Sequence, residues 1–123
     1  MIYKIAAVTQ DGQKISNHFG MAPLYRVFTV VDGQIQGEEE RPKPYHAQHP
    51  HHESRHSIHG NIHEDMFAPI GDCQVLLCAG MGQPAYQKAL SAGLQVVLTD
   101  GDILASVQAF LQGKVSSDMR RVH

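Results

Sequence analysis

The apolar and polar positions of this chain fall into short blocks that alternate between the period of a strand and that of a helix. Ile2 to Val8 is an apolar, β-branched run that stops at the polar turn TQDGQ, the pattern of a buried strand. Leu24 to Val31 (LYRVFTVV) is a second run. It leads through Asp32-Gly33 into Gln34 to Glu40, and Asp-Gly between extended segments predicts an antiparallel hairpin. Gln74 to Ala79 (QVLLCA) is short and apolar on both faces, as expected of a central strand covered on each side, and Leu94 to Thr99 (LQVVLT) reads as another buried strand.

Helical spacing fills the gaps between these strands. Asn61 is placed to cap a helix with Glu64 at its third position, with Ile62, Met66, Phe67 and Ile70 as its apolar stripe and Gly71 as its end. Pro84 opens a second helix that runs to about Ala92 and stops at Gly93. Asp100 and Asp102 lie at the start of a third, in which Ile103, Leu104, Val107, Phe110 and Leu111 keep helical spacing up to Gly113. The tail SSDMRRVH has no period and reads as loosely held. Together these blocks predict a single α/β domain over residues 1–123, a mixed five-stranded sheet with helices on both faces.

One stretch breaks the pattern. Arg41 to Gly60 contains Pro42, Pro44 and Pro50 and almost no aliphatic residue, so it cannot build a core of its own and reads as a surface loop inserted at about residues 42–60. Seven of the nine histidines lie between His46 and His63. Neutral imidazole is the commonest side-chain metal ligand and titrates near pH 6.5, so such a run offers nitrogen donors that would release metal on acidification. His49, His52, His56, His59 and His63 are spaced by 3, 4, 3 and 4 residues and would share one face of any helical stretch, where a pair such as His52 and His56 holds one zinc, nickel or copper ion. The other reading of the same composition is a solvated tract with weak, nonspecific affinity for divalent metals.

Charge and cysteine content narrow the classes. Ten Lys and Arg against twelve Asp and Glu leave a formal charge of −2, which gives no general attraction for nucleic acid or anionic lipid. No apolar run approaches the roughly 20 residues needed to cross a bilayer, and the N-terminus reads as a strand and not as a signal peptide, so the expected location is the cytoplasm. Cys73 and Cys78 stand five apart in what reads as one strand, where odd spacing points side chains to opposite faces and makes a disulfide improbable.

In open α/β sheets ligands collect at the carboxyl ends of the parallel strands. That rule selects Ser16-Asn17-His18-Phe19-Gly20, Gly80-Met81-Gly82 and Asp100-Gly101-Asp102. The glycine loop is either a tight strand-to-helix turn or a place where unpaired N–H groups and a helix dipole meet an anion; it is neither a Walker loop nor a full dinucleotide fingerprint. The segments SNHFGMAPLYRVFTV and IGDCQVLLCAGMGQPAYQKALSAGLQVVLT, with a final helix ending in glycine, resemble the dinitrogenase iron-molybdenum cofactor biosynthesis family over Met1 to about Val115, apart from the histidine-rich insert. The His-Phe-Gly motif and the Asp-Cys strand leading to the glycine loop are the most specific parts.

The resemblance implies a ribonuclease H-like, three-layer fold and a non-catalytic role in binding, carrying or storing an iron-sulfur or molybdenum-containing cluster as a nitrogen-fixation accessory. Members also occur where no nitrogenase is involved. A cluster-donor or acceptor protein is the implied partner, and the chain itself is expected to be a monomer or homodimer. Carried onto this chain, His18 is the signature histidine, a cluster ligand or hydrogen-bond donor, with Phe19, Gly20, Gly80, Met81 and Gly82 forming the floor. Without the resemblance, the favoured reading of His18 is a loop histidine that orients its turn by bonding a backbone group. Cys78 reads either as a thiolate ligand at the same rim or as a small buried hydrophobe.

Three functions compete on these residues: a cluster carrier, a divalent-ion buffer or sensor acting through the insert, and a two-metal nuclease suggested by fold analogy alone. The last needs converging carboxylates, and the first strand has none. No nucleophile triad or paired-carboxylate arrangement is present in the pattern, so the chain is not read as an enzyme.

Overall fold

A computed structural model describes residues 1–43 and 66–122. The histidine-rich insert, and the Asn61 to Asp65 part of the first predicted helix, lie outside the described residues. The elements are β1 (Ile2–Thr9), β2 (Leu24–Val31), β3 (Gln34–Pro42), β4 (Val75–Cys78), α1 (Gln83–Ser91), β5 (Gln95–Leu98) and α2 (Ile103–Leu111). They form one five-stranded mixed sheet in the order β3-β2-β1-β4-β5. β1 is central: it pairs antiparallel with β2, with Ile5 opposite Phe28, and parallel with β4, with Ile5 opposite Val75.

All four residues of β4 are buried, which requires cover on both faces. Alternation along β1 shows how that cover is divided. Ala6 and Val8 join a cluster with Phe19, Tyr25, Leu76, Cys78 and Ala89 of α1, whereas Ile5 and Ala7 join one with Phe28, Val75, Leu77, and Ile103 and Val107 of α2. One helix therefore packs on each face.

Local chemistry explains the joints. In the β2–β3 hairpin both Asp32 (φ 51°) and Gly33 (φ 81°) are left-handed, the backbone that matches the twist of the flanking strands. The Asp102 carboxylate accepts from the Ala105 N–H at 3.0 Å and so caps α2, a contact worth about 1 kcal/mol. The outer strand β3 carries Glu38, Glu39 and Glu40 in succession, charges that discourage pairing with a further strand.

Four expectations are corrected. The described end of the predicted Asn61 helix is a turn followed by a single 3-10 turn, Ala68–Ile70. Pro69 sits inside it, lacking an N–H and clashing with the carbonyl four residues earlier in any continuous α-helix. Arg41 and Pro42 belong to β3, opposite Tyr25 and Leu24, so the strand runs further into the supposed loop; a proline is tolerated there because the strand is at the sheet edge. Cys73 precedes β4, so strand alternation does not apply to it, and it joins the same apolar cluster as Cys78; both thiols are free. The tail is not loose: the Leu98 N–H donates to Ser117 Oγ at 2.9 Å, and the Asp118 N–H donates to the Leu98 carbonyl at 2.9 Å, covering the open edge of β5. No helix among the described residues is long and apolar enough to cross a membrane.

Candidate functional site

The segment after β1 is built by short polar side chains. The Asp11 carboxylate accepts from the N–H groups of Lys14 (3.0 Å) and Gln13 (2.8 Å), which hold its acid below the usual carboxylate range. Gly12, at φ +82°, turns the chain and donates its N–H to Thr9 Oγ1. From there the strand ends are stitched together. The Ile15 N–H donates to the Gly101 carbonyl, the Ala79 N–H to the Ser16 carbonyl at 3.0 Å, and the Phe19 N–H to the Gly80 carbonyl at 3.1 Å. The His18 motif and the glycine loop, read separately from the sequence, are thus hydrogen-bonded neighbours.

His18 is exposed. Its backbone does the local work: its N–H donates to Ser16 Oγ, and its carbonyl accepts from the Met21 and Ala22 N–H groups around the 3-10 turn Phe19–Met21. The imidazole makes no hydrogen bond or ion pair among the described residues, so its nitrogens are available. It borders a cleft of about 260 Å³ lined by Gln10, Asp11, Lys14, Ile15, Ser16, Asn17 and His18.

Directly beneath the motif, Phe19 is buried and stacked on Phe67 with centroids 5.2 Å apart. Lys43 Nζ lies 4.5 Å from the centre of the Phe19 ring and 3.9 Å from Met66 Sδ, and Tyr25 Oη donates to the Met66 carbonyl at 2.6 Å. Lys43 is the last described residue before the insert and Met66 the first after it. Both feet of the insert therefore stand on the Phe19–Tyr25 patch, whose Phe19 follows His18 in the chain. A second clamp lies alongside: Arg41 Nη1 donates to the Pro69 carbonyl (2.8 Å) and to the Asp72 carboxylate (2.6 Å), with Nη2 on its other oxygen (3.1 Å). Arg41, and then Lys4 at 3.1 Å, hold the Asp72 carboxyl well below the usual carboxylate range. Burial pushes the Lys43 ammonium down to about 8.

Cys78 is fully buried, and its Sγ donates to the Gly80 carbonyl at 3.0 Å. Burial pushes its thiol up to about 12, so here it is a neutral SH group under the rim, and ligation would require both deprotonation and exposure. The glycine loop differs from expectation in one respect. The Met81 N–H is already taken, donating to the Arg121 carbonyl at 3.2 Å, and the Met81 side chain is buried. Gly82 precedes α1 without a side-chain cap, and a Cβ on it would meet Pro84 only at an ordinary 3.7 Å.

Among the described residues no three or more His, Cys, Asp or Glu side chains gather as a metal would need. The proposed ligands His49, His52, His56, His59 and His63 lie outside those residues. Sequence reasoning missed Lys43, Tyr25, Phe67 and Arg121. Arg121 Nη1 donates to the Ala79 carbonyl at 3.2 Å and Nη2 to Asp100 at 3.1 Å, at the carboxyl ends of β4 and β5. The one local signal in the tail was Asp118, whose carboxylate caps the 3-10 turn Met119–Arg121.

The profile of the family described as Dinitrogenase iron-molybdenum cofactor matches residues 1–113. The chain belongs to this family. Solved structures agree at the level of the fold. The crystal structure of PH0822 has a TM-score of 0.70 at 22% identity, covering 94% of each chain. A candidate dinitrogenase from Methanocaldococcus jannaschii has a TM-score of 0.63 at 17% identity, covering 96% of each chain. A candidate NifB protein from Thermotoga has a TM-score of 0.62 at 15% identity, covering 94% of this chain and 92% of that one. No curated protein matches the chain. The family match ends before the tail that brings Arg121 to the glycine loop.

Proposed function

We propose that this member of the family binds and carries a metal–sulfide cluster, of iron-sulfur or molybdenum-iron-sulfur type, without catalysing a reaction on it. One juxtaposition carries the reading. An exposed imidazole with no hydrogen-bond partner among the described residues, His18, is joined through the Phe19 N–H to the glycine loop, and the Phe19 ring carries the anchored feet of a segment with seven histidines. The family's description, which names an iron-molybdenum cofactor, gives the class of guest.

In this reading His18 supplies the first nitrogen ligand and the insert supplies further imidazoles, with His49, His52, His56, His59 and His63 spaced to act in pairs. The loop Gly80 to Gly82 forms the floor. Cys78 would join only after losing its proton. A helix on each face of the sheet supports the three-layer, ribonuclease H-like assignment. We place the protein in the cytoplasm as a monomer or homodimer, receiving its cluster from, or giving it to, a partner protein.

Apo-protein offered iron, sulfide and molybdate without air should acquire sulfur-to-metal charge-transfer absorption, and His18→Ala should weaken it while leaving urea stability within about 0.5 kcal/mol, because the side chain is exposed. Equal absorption in the variant overturns the role of His18. The seven-histidine composition supports a second reading, a divalent-ion buffer or sensor. Deleting residues 46–60 separates the two: loss of zinc, nickel or copper uptake with no effect of His18→Ala would favour the buffer.

A further inference from the structure

The amide that a guest would find at the glycine loop is occupied by the protein's own tail. The Met81 N–H donates to the Arg121 carbonyl at 3.2 Å, and Met81 and Val122 form an isolated parallel bridge. The same arginine spans the carboxyl ends of two strands, with Nη1 on the Ala79 carbonyl and Nη2 on Asp100. Its side chain holds this edge shut by polar contacts.

The hold is weak in three identifiable ways. Asp100 is 61% exposed, so its pair with Arg121 is a solvent-screened one. Arg121 Nε is buried without an acceptor among the described residues, with Asp118 Oδ2 3.9 Å away, so closure leaves a donor unsatisfied. Between residues 116 and 122 only Val122 packs against the main cluster, and Met119 is 54% exposed. The Ser117 and Asp118 bonds to Leu98 anchor the base of the segment, and its end, held by few bonds and little apolar contact, opens at low free energy.

We propose that residues 116–122 form a latch over the glycine loop, closed by Arg121, which an anionic metal–sulfide guest opens by drawing the guanidinium away from Asp100. The guest's class rests on the function proposed above; the latch itself rests on the hydrogen bonds. On opening, Asp100 returns to water, the Arg121 guanidinium faces the guest, and the Met81 N–H is released toward the same guest. Stronger affinity for the open state is what allows a guest to shift the equilibrium.

Amide exchange at Met81 and binding of tetrathiomolybdate, read in the full chain, test this. Both Asp100→Asn and Arg121→Gln should speed Met81 exchange by about tenfold or more while the Phe19 amide, bonded to Gly80 and not to the tail, keeps its protection. Asp100→Asn, which keeps the guanidinium, should also take up tetrathiomolybdate faster than wild type. Arg121→Gln should bind it about tenfold more weakly, having lost a charge-assisted donor. Met81 exchange unchanged in both variants overturns the latch. Wild-type protein that binds no tetrathiomolybdate overturns the cluster reading and guest-driven opening, whereas the exchange rates still judge closure by the tail.

Discussion

Phe19→Ala is expected to lower the free energy of unfolding by about 3–5 kcal/mol, the range for truncating a buried aromatic side chain. Phe19 is only 2% exposed, and its ring is the shared wall for Phe67, Tyr25 and the Lys43 ammonium. Domains of this kind are stable by about 5–15 kcal/mol, so the loss is a large share of the total. In urea the midpoint should fall by roughly 2 M for a slope of about 2 kcal/mol per M, with the slope unchanged. Phe19→Leu, which keeps most of the volume, should cost clearly less. A loss below about 1 kcal/mol in Phe19→Ala would show that the ring does not join the two feet of the insert to the core.

The second large effect is an alkaline optimum of stability. Lys43 keeps its proton to 10.5 by its ordinary value but only to about 8 in the folded chain, where burial disfavours the charge. Between those limits the unfolded state binds more protons, so raising the pH favours folding, by up to about 1.4 kcal/mol per pH unit for one proton. Cys73 and Cys78 act with the opposite sign. Their ordinary value is 9.0 and burial raises both to about 12, so the folded state retains two thiol protons that the unfolded chain loses. Above about pH 9 two protons outweigh one, and stability declines. Urea midpoints should therefore climb from about pH 7.5 to 9 and then fall, and Lys43→Met should abolish the climb. A flat wild-type profile in that interval, or a climb that survives in Lys43→Met, contradicts the burial of this charge.

Much of this arrangement was legible in the residues. Strands β1 and β4 announce themselves because Ile5 to Val8 and Val75 to Cys78 are buried throughout and carry no charged or amide side chain. Asp32-Gly33 fixed the hairpin because few other pairs accept two left-handed backbones. The carboxyl-end rule selected His18 and Gly80 together, and the Phe19 N–H to Gly80 bond joins them. The misreadings have physical causes as well. Helical spacing over Asn61 to Ile70 outweighed Pro69, although one proline suffices to end an α-helix. Glu38 to Pro42 does not alternate, because an outer strand has little to bury on either side. Lys43 read as loop, since nothing local reveals that two aromatic faces await its ammonium. The tail has no apolar period because it is attached by hydrogen bonds and one guanidinium, so nothing in its pattern reveals that it occupies the Met81 N–H.

The central claim is that nitrogen donors at the mouth of this sheet grip an inorganic sulfide-containing guest. Its most direct test is the metal and acid-labile sulfide content of protein isolated without air. The account predicts iron or molybdenum together with sulfide, in fixed proportion to protein and depleted in His18→Ala. Metal without sulfide, or neither, would contradict it.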